Sequence, residues 1–367
     1  MKINRNKTLI NEPLVSILWV NYNSSKILNI VKMSLLSIRK LDYKNYELII
    51  VDNASTDSSF EQIKSYLNNI GLKAKLIRTK HNLGFTGGNN IGYLMRNQNS
   101  KYIVLLNNDA VAYPDSLTKM VQAMESDPKC GALQGIILWL GKNSIYSAGI
   151  GIDEFMLANV FRDSINKPIY NDYYVSYSDG CYSIYRVEAL KKLGEVPFIW
   201  SMFAYFDDNI LGVKLWNIGY TVKCIPRITA KHLWRGTFRT IGTAWAYYHW
   251  IKGWIASLII SNSKFKKSLT AYIILIIRAL IKYLPIIPHS GLKPFILGLR
   301  DGIHAGYYMR KANFTLDIYK IPLIKRNISV IRITPLFFIL RRIIKHLSIL
   351  TPKDLCFINV DKNLLVQ

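Results

Sequence analysis

The sequence predicts an α/β protein: a mainly parallel sheet with helices on both faces, followed by a basic, apolar helical region. Three observations predict it. Short runs of branched apolar residues alternate with stretches of helical periodicity through the first third of the chain. Each run stops abruptly at a cluster of Asn, Asp or Gly. Charge is also uneven, with 26 Lys/Arg against 19 Asp/Glu in residues 1–230 but 22 against 4 in residues 231–367. Strands alternating with helices of these lengths imply βαβ units, hence parallel pairing with right-handed crossovers.

Val15–Val20 reads as the first strand and ends in Asn21-Tyr22-Asn23. Ser24 or Ser25 then caps a helix whose apolar positions Ile27, Ile30, Val31, Leu35 and Ile38 share a face. Leu48–Val51 is the second strand and runs into Asp52; Phe60, Ile63, Tyr66 and Leu67 mark a second amphipathic helix. Leu76-Ile77 lies in a third strand, followed by a glycine cluster, Gly84, Gly87 and Gly88, with a helix expected to start near Asn89. Tyr102–Leu106 is the fourth strand. It carries five apolar residues without alternation, as a strand covered on both faces does. It ends at Asn107-Asn108-Asp109, and Pro114 with Asp115 opens another helix. Past Pro128 the alternation gives way to Gly-punctuated segments, with a helix around Val187–Leu193 and a strand near Thr221–Ile225.

In open α/β sheets, ligands bind outside the carboxyl ends of the strands. Asp109 stands at such an end, where a carboxylate either holds a divalent cation against a diphosphate or caps a turn. Asp52, after another strand, either accepts from the N3–H of a uracil or thymine ring or forms an Asx turn. The glycine cluster lets backbone approach a ligand closely, but it does not fit G-x-G-x-x-G, which speaks against a dinucleotide oxidoreductase. Asp207-Asp208 follows an aromatic run. Two crowded carboxyls raise the proton affinity of one, which suits a general base, although such a pair is also common at helix N-termini. Four scattered cysteines with no C-x-x-C spacing argue against a zinc site and a disulfide framework. With no apolar signal-peptide core between Met1 and Pro13, a reducing cytoplasmic setting is expected.

Four blocks, VSILWVNYNS, ELIIVDNASTD, NLGFTGGNNIGY and VLLNNDAVAYPDSL, stand in this order and spacing. Together they resemble glycosyltransferase family 2 with the GT-A fold, a Rossmann-like nucleotide-diphospho-sugar transferase sheet, nearest to its rhamnosyltransferase-like group. The resemblance runs over roughly residues 13–235. It implies that Asp52 reads the donor base, that Asn21, Tyr22, Gly87, Gly88, Asn89 and Asn108 line the nucleotide pocket, and that Asp109 binds Mg²⁺ or Mn²⁺ at the DxD position. Asn107 replaces the first Asp of that motif. It further implies that Asp208 is the base, that Asp207 contacts acceptor or donor sugar, that Gly180 lies on that side, and that His232 shares the metal. Ile210 departs from the pattern, standing where the family carries a third acid. The reaction implied is inverting transfer from a UDP- or dTDP-sugar to a hydroxyl of a saccharide or polyprenyl-linked acceptor. The rivals are a sugar-phosphate nucleotidyltransferase, which would open with a Gly-rich basic loop where Asn21–Ser25 stands, and an inactive nucleotide-sugar-binding protein.

The expected division is a catalytic domain at 1–240 and a basic helical region at 241–367. Ala244–Ile260, Leu269–Ile287 and Leu336–Leu350 are its apolar segments. In Leu269–Ile287, Arg278 and Lys282 cost about 5–7 kcal/mol of insertion energy, which offsets its eleven Ile/Leu. An interfacial position is the better solution, with Trp245, Trp250 and Trp254 in the headgroup layer and the basic residues (Arg341, Arg342, Lys345 and His346 among them) facing anionic lipid. The alternative is a soluble bundle in which these helices bury their apolar faces against one another. No nucleic-acid-binding motif is recognisable, and the basic residues are interleaved with Ile and Leu. The expected location is peripheral, on the cytoplasmic face of the cell membrane.

Overall fold

The structure is a computed structural model. It describes residues 12–142, 144–161, 171–233, 242–264 and 273–324, apart from 274, 275, 278 and 282. Leu336–Leu350 with its basic cluster, and Arg278 and Lys282, lie outside the described residues.

The first third builds as its periodicity dictates. Strands β1 (Val15–Asn21), β2 (Tyr46–Asp52), β3 (Lys75–Arg78) and β4 (Tyr102–Leu106) alternate with helices α1 (Leu28–Arg39), α2 (Ser59–Ile70) and α3 (Gly84–Leu94). β1 pairs in parallel with both β2 and β4, and β2 with β3. The register sets Asn21 beside Asp52, so two polar strand ends meet at one edge. Helix α3 begins at Gly84, five residues before the expected start. Asn82 Oδ1 accepts from Gly84 N at 2.9 Å, and Asn53 Oδ1 accepts from Leu83 N at 2.9 Å. Gly84, at φ +73, makes the turn that lets the helix begin there.

After β5 (Ala110–Ala112) and α4 (Ser116–Ser126) the pattern changes. β6 (Cys130–Trp139), β7 (Ile145–Ser147), β8 (Ile150–Asp153), β9 (Ala158–Val160), β10 (Tyr173–Tyr174) and β11 (Tyr182–Arg186) precede α5 (Val187–Leu193), α6 (Asp207–Asn217) and β12 (Thr221–His232). The main sheet runs β3-β2-β1-β4-β11-β6-β12-β10, with β5 on β12 and β7 on β6. A small second sheet joins β8 and β9 to β13 (Leu323–Ile324). β11 is antiparallel to β4, with Tyr182 opposite Leu106. The residues entering β11 therefore arrive where β4 ends. His232, ending β12, lies opposite Ala110. Beneath the sheet Arg186 is buried, and its guanidinium donates to the carbonyls of Cys130, Met124 and Asp127, so its charge is met by oxygens around the α4 C-terminus.

Two further helices, α7 (Thr243–Ile260) and α8 (Lys293–Lys311), pack against each other. Gly298, Gly302 and Gly306 form the contact stripe of α8. A Cβ on Gly302 would come within 2.8 Å of the Lys252 carbonyl, and one on Gly306 within 2.8 Å of Ile259 Cβ. α7 is not a free surface helix. Ile251, Trp254, Ile255 and Leu258 join one core with Ile152, Phe155, Met202, Phe206 and Ile210. Trp254, expected in a headgroup layer, is buried and donates to the Phe155 carbonyl at 2.9 Å; Trp250 turns inward, and Trp245 is exposed. Packing on Ile152, Phe155 and Phe206 competes for the same indole faces, and two of the three turn inward.

α7 also braces a strained turn. Phe203, Tyr205 and Phe206 all have positive φ (66, 64 and 63°), a conformation costing about 1–3 kcal/mol for each non-glycine residue. The turn is held from both sides. Thr86 N donates to the Phe203 carbonyl at 3.1 Å, the Phe203 ring stacks on His249 at 4.6 Å, and Lys252 Nζ reaches the Ser201 carbonyl at 2.7 Å. Gly253 passes so close that an added Cβ would sit 3.0 Å from Phe206 Cβ.

Because the α7–α8 contact leaves no room for a side chain, Gly302→Val should lower stability by about 1–3 kcal/mol through overpacking. Denaturant titration followed by circular dichroism checks this, and an unchanged midpoint would show that the helix pair yields freely.

Candidate active site

The strand ends converge on one cleft of about 440 Å³. Its lining combines Tyr22 and Asn53 from the β1 and β2 ends, Asn107, Asn108 and Asp109 after β4, and Asp179, Gly180 and Cys181 before β11. Phe203–Asn209, at the start of α6, and His232, at the end of β12, complete it. Among the described residues no Lys or Arg lines it. A chain with a formal charge of +25 thus presents four carboxylates, Asp109, Asp179, Asp207 and Asp208, in a single concavity.

Asp109 and His232 face each other, with Oδ1 and Nε2 2.9 Å apart and both side chains buried. Burial disfavours the imidazolium, but the charge and hydrogen bond of Asp109, with Asp179 beyond, outweigh it and raise the His232 pKa. His232 Nδ1 is buried without a hydrogen-bond partner, and the ring packs edge-on to Tyr146 at 4.7 Å. Among the described residues no third His, Cys, Asp or Glu joins the pair as a ligand set.

Asp207 and Asp208 open α6 directly after the strained turn. Burial raises the pKa of Asp207, and its own N–H and that of Asp208 pull it back. Asp208 is pushed well above the carboxylate range by burial first, then by the charges of Asp207 and Asp179. Its oxygens accept from Asn209 N at 2.8 Å and Gly180 N at 3.3 Å. The charges of Asp207 and Asp179 thus reach Asp208, and burial raises the proton affinity of the Asp207–Asp208 pair.

Other sequence-predicted residues stand behind the wall. Asp52 is fully buried; its carboxylate accepts from Asn21 Nδ2 at 2.9 Å and from Ser55 Oγ and N, and lies 3.3 Å from Arg78 Nε. Asn21 ties this knot to the cleft, since its Oδ1 accepts from Asn108 Nδ2 at 3.4 Å. Gly87, Gly88 and Asn89 lie inside α3 rather than on the lining. A Cβ on Gly88 would come within 2.8 Å of Val20, and one on Gly87 within 2.4 Å of Leu83. Gly88 lets the helix approach β1, and Gly87 leaves room for Leu83 and Trp200, while Asn89 Nδ2 donates to the Phe85 carbonyl at 2.9 Å. Sequence reasoning passed over Asn53, Asp179 and Asn209. The signal for Asp179 was an acid directly before Gly180, and only the antiparallel return of β11 gives it meaning.

Residues 16–194 match the family described as Glycosyl transferase family 2. The match reaches the family and stops short of the rhamnosyltransferase-like group within it. The chain is 25% identical over 240 residues to a poly-β-1,6-N-acetyl-D-glucosamine synthase of Staphylococcus epidermidis, which covers 65% of this chain and 54% of that protein. It is 34% identical over 115 residues to an uncharacterized glycosyltransferase of Haemophilus influenzae, 31% of this chain and 44% of that one. The chain therefore spans about half the length of the curated relatives it matches. Among solved structures, S. aureus TarS residues 1–349 superpose with a TM-score of 0.48 at 14% identity, over 83% of both chains. A mannosyltransferase from Pyrobaculum calidifontis superposes at 0.47 with 17% identity, over 83% of this chain and 76% of the other. By the four blocks, the sheet that carries them and the family match, residues 16–194 form a glycosyl transferase family 2 region, and the sheet has GT-A architecture.

Proposed function

We propose that the protein is an inverting glycosyltransferase that moves a sugar from a nucleoside-diphosphate sugar, UDP- or dTDP-linked, to a hydroxyl of a saccharide or lipid-linked acceptor. The observation that carries this reading is the meeting of Asp109 and the Asp207–Asp208 pair in one cleft. The polysaccharide synthase among the relatives supports a growing polysaccharide as the acceptor class.

Asp208 is the general base. Its raised proton affinity suits a carboxylate that must take a proton from an alcohol near neutral pH, an effect worth about 10²–10⁴-fold. The acceptor oxygen attacks the anomeric carbon from the Asp208 side, and the bond from that carbon to the diphosphate oxygen breaks on the opposite side, with inversion. The hydroxyl proton ends on Asp208. Asp207 holds sugar hydroxyls beside it. On the nucleotide side Tyr22 and Asn53 line the wall, and Asp52 reaches a base by releasing its half-exposed partner Arg78.

The site fits a divalent cation. A carboxylate oxygen and the Nε2 of an imidazole meet there 2.9 Å apart, and Mg²⁺ commonly takes one or two protein ligands and completes its shell with phosphate and water. Bound by Asp109 and His232, Mg²⁺ or Mn²⁺ would supply the positive charge against the departing diphosphate that no described Lys or Arg in the cleft supplies.

Residues 241–367 would hold the enzyme to the cytoplasmic face of a membrane. Among the described residues no helix is long and apolar enough to cross one. The outward side of α8, however, exposes Ile296, Ile303, Tyr307 and Tyr308 among Lys293, Arg300, Arg310 and Lys311. Apolar and basic side chains on one helix face suit an anionic leaflet.

Four outcomes test the reading. Asp208→Asn should abolish transfer while donor affinity stays within a few-fold. A carboxyl with a raised folded pKa costs stability as pH climbs from its unfolded value toward its folded one. The same variant should therefore melt higher than wild type at pH 8, with the gap closing below pH ~4. Full transfer by Asp208→Asn would remove Asp208 as the base. EDTA should stop turnover and Mn²⁺ should restore it; turnover indifferent to chelation would rule out the cation. Ile303→Glu with Tyr307→Glu should weaken co-sedimentation with phosphatidylglycerol vesicles by roughly tenfold, and equal sedimentation would place the membrane contact elsewhere or nowhere.

A further inference from the structure

An aromatic path leads from the cleft to solvent, and neither the sheet nor the α7–α8 packing requires it. Phe203 lines the cleft wall, and its ring stacks on His249 with 12° between planes. His249 lies against Trp245, 6.3 Å between ring centres, and Trp245 is 53% exposed. Trp200, on the turn leading into Phe203, is 46% exposed. Large indoles left in water beside a cleft forgo burial energy that packing would otherwise give, and such exposed patches mark binding surfaces.

We propose that Trp200 and Trp245, the latter backed by the stacked Phe203–His249 pair, form a stacking platform for the sugar units of an oligosaccharide acceptor, leading its terminal hydroxyl to Asp208. The inference rests on the transferase reading and names the acceptor as an extended saccharide. A pyranose ring offers an apolar C–H face bordered by hydroxyls, which matches a flat aromatic face with polar groups at its rim. The platform is uncharged where it stacks. Burial and the neighbouring Lys252 depress the His249 pKa to about 4, so the ring against Phe203 is neutral imidazole. It is also held in place. Tyr248 donates to Asp301 at 2.7 Å and packs edge-on to Trp245, while Lys252 Nζ fixes the Ser201 carbonyl of the turn bearing Trp200. Where the path enters the cleft, Asn209 is 1% exposed and its amide adjoins the buried Tyr177 hydroxyl, so polar groups border the aromatic surface there.

The test uses the full chain on an array of immobilised mono- to hexasaccharides of mixed linkage. Wild type should be retained on members of two or more units. Trp245→Ala and Trp200→Ala should each lower retention by about tenfold, and Trp245→Phe should keep most of it. Both indoles are about half exposed, so unchanged melting of the Ala variants is expected and is measured alongside. No retention of wild type on any member, or equal retention of Trp245→Ala, overturns the platform. Vesicle binding lost in Trp245→Ala without any glycan retention assigns the aromatics to lipid and also overturns it. Release of nucleoside diphosphate from a panel of nucleotide sugars by wild type is read separately. Glycan retention without any such release sinks the transferase reading, whereas donor turnover with glycan retention insensitive to Trp245 and Trp200 sinks the platform alone.

Discussion

Mutual repulsion of carboxylates in a cleft without Lys or Arg among its described lining is the constraint on which the rest of this structure depends. Asp109, Asp179, Asp207 and Asp208 cannot all be ionised side by side at low dielectric without help. Each receives a different remedy. Asp109 has the His232 imidazole, Asp179 the Cys181 N–H at 3.1 Å, and the Asp207–Asp208 pair the first amides of α6 and a raised proton affinity. The sheet order makes this crowding unavoidable, because β11 and β12 bring Asp179 and His232 to the edge where β4 delivers Asp109.

Strain is the second element of this design. Three consecutive-turn aromatics in left-handed conformations store energy next to the two acids. Gly84 and Gly253 allow backbone to close on the turn from opposite sides, and α7 supplies the stacked His249. The position of Asp208 is thus set by a helix from the far end of the chain as much as by its own.

The sequence made the first half of the sheet legible because its strands are uninterrupted apolar runs ending in amides and acids: Val51 gives way to Asp52, and Leu106 to Asn107. The long strand β6 was not legible, since Gly131 and Gly135 break its pattern. They are there because a Cβ at Gly135 would come within 2.2 Å of Thr229 on β12. Gly87 and Gly88 show the converse. Within a cluster that reads as a ligand cradle, Gly88 serves the contact between α3 and β1, and Gly87 sits against Leu83 and Trp200. Asp179 carried no periodic signal, and positive φ at Phe203, Tyr205 and Phe206 has no residue code at all.

The core shared by Phe155, Phe206, Ile210 and Trp254 has a consequence for how the molecule comes apart. Side chains on both sides of residue 240 keep one another dry, so neither set can lose its order alone without wetting the other. Heat or denaturant should meet a single cooperative block here, and amide hydrogens in the middle of α7 should exchange about as slowly as those of the central strands.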